Sequence, residues 1–351
     1  MGRRPRLRAR PLSDHGAIVD VGGWVAPGME LVYERGTPAF RGQWPKLEAM
    51  LELAPARPRQ GDWPHPALAL PAAADRHERH DAWGVGGAPA PSGAPAPGDA
   101  RAVGGAARAV GGAAAATPPV PPGVLHDNSA GRVAALDAAG VGLQLISPGP
   151  SIDACLGLPA NLAAGVFAAY NRYITAYCRP HPDRLGAVLQ LHGSEPAWSA
   201  QEVADLRGEP SVRAVTLCLP VRISPEERNF EPLWDALERA DLPVLHRPAL
   251  CARIWTPRRL LAYLRGAGVL ERHPALRIAF LPGDVDRDGG PQAPDGASSG
   301  ELEALAPRLW ASDYPLRPAL GSELATARRA LGPRADDVLV SAPRRLLGGR
   351  W

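Results

Sequence analysis

The residues best suited to chemistry stand where short apolar runs end in turn residues. LWASDYP, residues 309–315, places apolar side chains before Asp313 and ends at a proline. PVLHRP, residues 243–248, does the same before His246 and Arg247. An imidazole nitrogen and a carboxylate oxygen can bind one divalent metal ion, and a planar guanidinium can hold a carboxylate through paired hydrogen bonds. The pattern therefore favours a site built from His246, Arg247 and Asp313.

Each of these candidates also has a structural interpretation. His246 could be a hydrogen-bonded core imidazole, although its place at the end of an apolar run favours the ligand role. Asp313 is a common residue type in a turn, here before Tyr314 and Pro315. His192 ends another apolar run, LGAVLQLHG, and is predicted to be structural. The residues alone leave these alternatives open.

These runs belong to a regular alternation of apolar segments and helical segments. The segments predicted as strands are residues 17–21, 141–147, 185–193, 212–220, 243–248, 276–283 and 308–315. The segments predicted as helices are residues 158–178, 199–208, 231–240 and 257–273. Short apolar runs closed by turn residues are typical of buried parallel strands, and their alternation with helices indicates βαβ units. The sequence thus predicts an α/β protein.

Two parallel architectures fit this alternation, a TIM (β/α)8-type barrel and a doubly wound open sheet. The number and spacing of the segments favour the barrel. A closed barrel has eight strands, and the predicted gap falls at residues 283–300, a segment of linker composition. We therefore predict a barrel without strand seven. The carboxyl ends of barrel strands carry the reacting groups, which makes Asp313 the predicted catalytic residue.

The predicted domain organisation is simple. Residues 1–16 are a basic, disordered tail, and residues 17–351 form a single barrel domain. Residues 84–122 are dominated by Gly, Ala and Pro and are predicted to be a disordered insertion, because they cannot bury enough apolar surface to offset ordering. The repeat AVGGAARAVGGAA within them resembles a phosphate-binding loop only superficially, since no strand precedes it.

Composition excludes several classes of protein. The chain has 351 residues, 45% of them hydrophobic, and a formal net charge of +3. This near-neutral balance argues against a nucleic-acid partner, and no apolar run is long enough to cross a membrane. The four cysteines are Cys155, Cys178, Cys218 and Cys251. They lie far apart without a CxxC pair, which is typical of reduced thiols in a cytoplasmic protein.

The order of several motifs resembles the amidohydrolase-related metal-dependent enzymes, the group that contains aminocarboxymuconate-semialdehyde decarboxylase and several aromatic-acid decarboxylases. The resemblance runs from about Val124 to Gly348, and a weaker similarity is found at Ala17 to Pro27. The motifs that carry it are RVAALDAAGVGLQLISPGP, NRYITAYCRPHPDRLGAVLQLHGSEP, NFEPLWDALERADLPVLHRP, GVLERHPALRIAFLPG, LAPRLWASDYP and DDVLVSAPRRLLG. Each motif is loose, but their order and spacing together are fairly specific.

The resemblance implies a metal-dependent enzyme. It places His246 and Asp313 on metal-ligand positions, with zinc or manganese as the expected ion and Asp313 as the group that moves a proton. Arg247 is expected to bind a substrate carboxylate. The implied reaction is non-oxidative decarboxylation of a small aromatic or cyclic carboxylate, with hydrolysis of an amide or lactone as the alternative. The oligomeric state considered for the protein is a homodimer.

Three positions depart from the pattern of the family. The family has a metal-binding residue pair after strand one, where this chain has Gly22 and Trp24. After strand six the family has a His or Glu, where this chain has Pro282, with Asp284 two residues further on. A catalytic metal normally needs about three protein ligands. An inactive barrel that serves in binding or subunit association is therefore the rival hypothesis.

Overall fold

The computed structural model describes the greater part of the predicted barrel domain. The described residues are 18–25, 29–47, 128–149, 152, 155–219, 223–246, 255, 257–280, 309–312, 314 and 320–351. The basic tail, the insertion 84–122 and the segment 283–300 lie outside them. Among the predicted site residues, Arg247, Pro282, Asp284 and Asp313 also lie outside the described residues. The predictions that concern these segments and residues stay predictions.

Among the described residues, six strands form one sheet. They are β1 (Val19–Val25), β2 (Leu143–Pro148), β3 (Leu185–His192), β4 (Val212–Cys218), β5 (Val244–His246) and β6 (Ile278–Phe280). Each of them overlaps a predicted strand. The bounds differ by a few residues because a strand ends where its ladder of hydrogen bonds ends, which an apolar run marks only approximately.

Helices connect these strands and follow the last of them. They are α1 (Met29–Arg35), α2 (Pro38–Arg41), α3 (Ser129–Ala139), α4 (Ala160–Cys178), α5 (Pro196–Leu206), α6 (Glu231–Ala240), α7 (Pro257–Gly266), α8 (Val269–Arg272), α9 (Leu320–Leu331) and α10 (Ala342–Leu347). A π-helical turn, Asp337–Ser341, leads into α10, and short 3₁₀ turns cover Cys155–Gly157, Arg228–Phe230, Gly332–Arg334 and Gly348–Arg350. The four predicted helices correspond to α4, α5, α6 and the pair α7 and α8.

The order of the strands decides between the two architectures. All neighbouring strands are parallel, and they lie in the sheet in the order of the sequence, from β1 to β6. A doubly wound sheet would reverse its order at a switch point, whereas a barrel keeps sequential neighbours adjacent. The predicted α/β class with a parallel sheet is confirmed, and the order is that of a partial TIM barrel.

The segment that contains the predicted last strand lies along the free edge of β1. The amide of Val21 donates to the carbonyl oxygen of Trp310 at 3.0 Å, and the amide of Trp24 donates to that of Tyr314 at 3.1 Å. This is the position that a final strand must occupy to close a barrel against the first. The absence of strand seven concerns residues outside the described set and stays a prediction.

The two faces of the sheet pack against different partners. One face carries Ile146, Leu189 and Leu191, which pack with residues of α4 to α6 in a large helix-side cluster. The other face carries an inner cluster, whose members from the strands and α10 are Val19, Val21, Leu143, Leu145, Val188, Ala214, Leu245, Ala279, Ala342, Leu346 and Leu347. Because both faces are covered, the strands are apolar at consecutive positions rather than at alternate ones.

The described helices and cysteines have two further properties. None of the described helices is both long and apolar enough to span a membrane. Cys155, Cys178 and Cys218 are buried free thiols. Burial raises the pKa of the Cys178 thiol, and the nearby Arg132 only partly opposes this. A thiol held in its protonated form is a poor nucleophile.

Candidate functional site at the carboxyl ends of the strands

The first strand has no room for a metal ligand at the first expected position. A Cβ atom added to Gly22 would lie 2.2 Å from the Cβ of Ala311 and 2.7 Å from its Cα. Such a separation is far below van der Waals contact, so the two backbones approach closely because residue 22 has no side chain. At the second position, Trp24 is buried and its indole supplies no lone pair to a metal. Strand one therefore contributes no ligand.

His246, the predicted ligand of strand five, is buried on the helix side of the sheet. It follows Val244 of the helix-side cluster by two residues, and its ring meets the edge of Phe280 at a centroid distance of 5.3 Å. Its Nε2 lies 2.9 Å from the carbonyl oxygen of Trp255. A carbonyl oxygen only accepts, so in the neutral ring Nε2 carries the hydrogen.

The described residues do not fit the metal set that the resemblance implies. Gly22 and Trp24 supply no ligand atom, and His246 has one nitrogen committed to the main chain. Asp313 and Arg247 lie outside the described residues, so their convergence with His246 on one cavity stays a prediction.

Three buried polar residues, Ser147, Gln190 and His192, have no function assigned from the sequence. Ser147 follows Leu145, and Gln190 follows Val188, by steps of two residues, so both share the face of the inner cluster. His192 ends β3, where its ring packs against Phe167 of the helix-side cluster. All three stand in the carboxyl-terminal halves of β2 and β3, and Ser147 pairs with Trp24 of β1. We call these three residues the inner polar patch.

Each residue of the inner polar patch has a buried polar atom that no described residue satisfies. Ser147 Oγ, Gln190 Oε1 and His192 Nε2 have no hydrogen-bond partner in the part of the chain that the structure describes. Most buried polar atoms in proteins are paired, and those that are not often face water, an ion or a ligand. In the sequence, only their position near the end of a predicted strand could have marked these residues as candidates. A single polar residue within an apolar run forms no motif.

The hydrogen bonds of His192 fix which nitrogen carries its hydrogen. The amide of Ser194 donates to Nδ1 at 3.1 Å, so Nδ1 holds a lone pair and Nε2 holds the hydrogen. Burial lowers the pKa of the imidazole, which favours the neutral ring. The Oγ of Ser199 accepts from the main-chain amide of His192 at 3.0 Å and donates to its carbonyl oxygen at 3.1 Å. His192 therefore presents an N–H donor in a fixed orientation.

A second buried network, on the helix side, ties the last segment to β1. The Nε of Arg132 in α3 donates to the Oε1 of Gln144 at 2.7 Å, and its Nη2 donates to the carbonyl oxygens of Trp24 at 3.1 Å and Tyr314 at 3.2 Å. The guanidinium also lies 4.7 Å from the centroid of the Tyr314 ring. Burial lowers the pKa of Arg132, while Tyr177, Tyr314 and Asp20 oppose this decrease. The network therefore holds Tyr314, the residue that follows Asp313.

Helix α3, which carries Arg132, is capped at both ends. The side-chain oxygen of Asn128 accepts from the amide of Gly131 at 2.7 Å at the first turn. Gly140 ends the helix at φ 72°, a left-handed conformation that glycine adopts without steric cost. The helix therefore has fixed bounds, and Arg132 stands on its first turn facing the sheet.

A group of acidic and histidine residues lies away from these sites. Among the described residues, ligand atoms of Asp235, Glu238 and His273 all lie within 4.8 Å of one another. Asp235 and Glu238 belong to α6, which precedes β5, and His273 follows α8 and precedes β6. Segments that lead into strands lie near their amino ends. This group is therefore at the opposite end of the sheet from the inner polar patch.

Comparison with known proteins gives solved structures of limited similarity. No family model matches the chain, and no curated protein matches its sequence. A 2,6-dihydroxybenzoate decarboxylase from Rhizobium is 14% identical, with a TM-score of 0.47 over 64% of this chain and 89% of that one. An amidohydrolase from Mycobacterium avium subsp. paratuberculosis is 15% identical, with a TM-score of 0.45 over 65% of this chain and 75% of that one.

A third solved structure contains a metal ion. It is a 5-carboxyvanillate decarboxylase from Novosphingobium aromaticivorans in complex with manganese, 20% identical, with a TM-score of 0.35 over 42% of this chain and 47% of that one. Two of these three proteins are thus decarboxylases of aromatic acids, and one is an amidohydrolase.

Proposed function

We propose that the protein is an enzyme that binds a small aromatic or cyclic carboxylate at the inner polar patch and decarboxylates it without oxidation. One observation supports the location. Three buried polar atoms that have no hydrogen-bond partner among the described residues stand at the end of the sheet where a barrel binds its substrate. The reaction class comes from the sequence resemblance. Hydrolysis of an amide or lactone is the alternative within the same group.

In this proposal two residues outside the described set carry the reaction. Arg247 holds the substrate carboxylate through its planar guanidinium. The bond between the ring carbon and the carboxylate carbon breaks, carbon dioxide leaves, and the ring carbon takes up the electron pair. Asp313, in its acid form, delivers a proton to that carbon. The resemblance supports both roles, together with the place of both residues at strand ends.

The reaction can be tested with purified full-length protein and a panel of benzoates that includes 2,6-dihydroxybenzoate and 2-hydroxybenzoate. We expect release of carbon dioxide from at least one of them, and incorporation of deuterium at the vacated carbon in D₂O. Asp313→Asn should lower the rate by roughly 100-fold or more, as loss of a general acid does. Arg247→Lys should raise KM. The control Arg259→Lys, at an exposed residue of α7, should change neither the rate nor KM. No release from any member of the panel would contradict the decarboxylase proposal.

A divalent metal, zinc or manganese, stays part of the prediction although the described residues do not supply a full set of ligands. Near-stoichiometric metal in purified protein, lost in His246→Ala and Asp313→Ala, would support it. His273→Ala is the matched control, since a metal bound at the distant group of Asp235, Glu238 and His273 would be lost in that variant instead. A cytoplasmic location and a homodimer also stay predictions.

The second candidate function is a barrel without catalytic activity that serves in binding or subunit association. The close approach of Gly22 to Ala311 favours it, because no ligand side chain fits at that position. This candidate predicts no bound metal and a thermal midpoint that a chelator leaves unchanged. Binding of a benzoate would still raise the midpoint, since a ligand that binds only the folded state stabilises it.

A further inference from the structure

We infer that His192 is a substrate-positioning residue whose neutral Nε2–H donates a hydrogen bond to an oxygen atom of the bound molecule. The tautomer follows from geometry, because the amide of Ser194 occupies Nδ1 with its own hydrogen. The Nε2 atom is buried and has no acceptor among the described residues. This inference rests on the proposed function in that it places the substrate at the inner polar patch.

The orientation of the His192 ring is set by contacts on several sides. Ser199 in α5 bonds both main-chain groups of His192 through one hydroxyl. The ring packs against that of Phe167 in α4, with centroids 5.7 Å apart. A donor that is held in place before the ligand arrives loses little conformational freedom on binding. The arrangement is therefore that of a preorganised hydrogen-bond donor.

The rest of the inner polar patch complements this donor. Gln190, two residues earlier on β3, already donates its Nε2 to the carbonyl oxygen of Leu191 at 2.8 Å, which leaves its Oε1 as an acceptor. The hydroxyl of Ser147 can serve as either donor or acceptor. None of the three side chains carries a charge when His192 is neutral. We therefore assign to this patch an uncharged oxygen-bearing part of the ligand, a hydroxyl or carbonyl group, while the carboxylate binds elsewhere.

A metal ligand role for His192 is inconsistent with this geometry. A metal needs a lone pair on nitrogen, and in this tautomer the lone pair is on Nδ1, which already accepts from Ser194. Nε2 carries the hydrogen. His192 differs in this respect from His246, whose Nε2–H is directed to the main chain.

The inference can be tested by nitrogen-15 NMR of the full-length chain labelled at histidine. The His192 signals are assigned by their loss in His192→Gln, and 2-hydroxybenzoate is the ligand probe. We expect the Nε2–H tautomer in the free protein, and a saturable shift of its signal as the probe is added. The signals of His181, which lies in the turn before β3, should not shift.

Binding affinities of variants provide a second readout. His192→Phe removes the donor and should raise the dissociation constant for 2-hydroxybenzoate by roughly tenfold, while His192→Gln, which keeps an N–H donor, should raise it less. His181→Phe should leave it unchanged. Thermal midpoints measured in parallel identify any variant that fails to fold, and the tautomer of the wild-type protein is read without any variant.

Each result has a defined meaning. Three results would overturn the inference. They are an Nδ1–H tautomer, a His192 signal that does not shift when the probe binds, and the absence of probe binding at millimolar concentration. If carbon dioxide is still released in those cases, the proposed function survives without it. If no carbon dioxide is released but the signal shifts and His192→Phe binds more weakly, the decarboxylase proposal fails and His192 remains a binding residue.

Discussion

Asp20 joins β1 to two distant segments through one buried carboxylate. Its Oδ1 accepts from the amides of Gly22 at 3.0 Å and Ser312 at 2.9 Å, and its Oδ2 accepts from the side chains of Gln144 and Ser312, both at 2.5 Å. Four donors thus converge on a side chain that is fully buried. Because Ser312 immediately precedes Asp313, this one residue determines where the predicted catalytic segment lies.

We expect Asp20→Asn to lower the free energy of unfolding by about 2–4 kcal/mol, because an amide NH₂ cannot accept the hydrogen bonds that one carboxylate oxygen accepts. Urea unfolding measures the change. Asp336→Asn, at an exposed position, is the matched control and should stay within about 0.5 kcal/mol. If the two variants have the same free energy of unfolding, the hydrogen bonds that converge on Asp20 do not contribute to the stability of the fold.

Gly22→Ala tests the close approach of the first and last segments. We expect it to lower the free energy of unfolding by about 1–3 kcal/mol, since the new methyl group must displace Ala311 or its backbone. Gly208→Ala is the control, because a Cβ at that glycine would have no atom within 4 Å. If the two variants denature at the same urea concentration, the segment 309–312 does not lie against β1 as described.

At the scale of elements, the junction between α6 and α8 depends on one imidazole. His273 is only 4% exposed, with Nε2 2.8 Å from Glu231 and Nδ1 3.0 Å from Glu238. Burial lowers the pKa of this histidine, but its hydrogen bonds to Glu231 and Glu238 outweigh burial and raise the pKa above its ordinary value of 6.5. A neutral ring has one N–H, so only the protonated ring can donate to both carboxylates.

The sign of the resulting pH dependence follows from linkage. The folded-state pKa of His273 is raised, so its stabilisation is fully present below pH 6.5, the ordinary pKa, and is lost as the pH rises through the raised value. We therefore expect the wild-type protein to lose stability relative to His273→Gln as the pH increases from 6.5. Urea midpoints of both proteins across this range measure the effect. Parallel curves would contradict it.

The secondary structure of this part of the chain was largely predictable. α6 has a strongly amphipathic sequence, EPLWDALERA, and its bounds Glu231–Ala240 coincide with the predicted helix at 231–240. The short helices α1 and α2 were not predicted. They are positioned by the burial of Val32 and Phe40, with Phe40 packed against Gly165 of α4. A contact between residues so distant in sequence leaves no periodic signal in either segment.

At the scale of the whole molecule, the insertion 84–122 is predicted to be dispensable. Its composition cannot support a packed core, and shortening the connection between residues 47 and 128 by about half lowers the closure cost by only about 0.6 kcal/mol. We expect deletion of residues 84–122 to leave the thermal midpoint the same or slightly higher. Deletion of residues 29–41, which include buried Val32 and Phe40, is the control and should unfold the protein. A large decrease in midpoint on removing the insertion would contradict the prediction.

The sequence by itself determined the α/β class, the positions of the six described strands and the resemblance to metal-dependent decarboxylases. Local patterns suffice for these, because a buried strand or an amphipathic helix is visible in a few consecutive residues. The sequence also showed that Gly22 and Trp24 replace a ligand pair.

Only the tertiary structure decided the order of the strands, the steric exclusion of any side chain at Gly22, and the surroundings of His246 and His192. It directs the Nε2–H of His246 to the main-chain oxygen of Trp255 and leaves that of His192 without an acceptor among the described residues. Two histidines at similar strand ends thus face different surroundings. The face that a side chain takes and the atom that it meets depend on strand register and on residues far away in the chain, which no local pattern records.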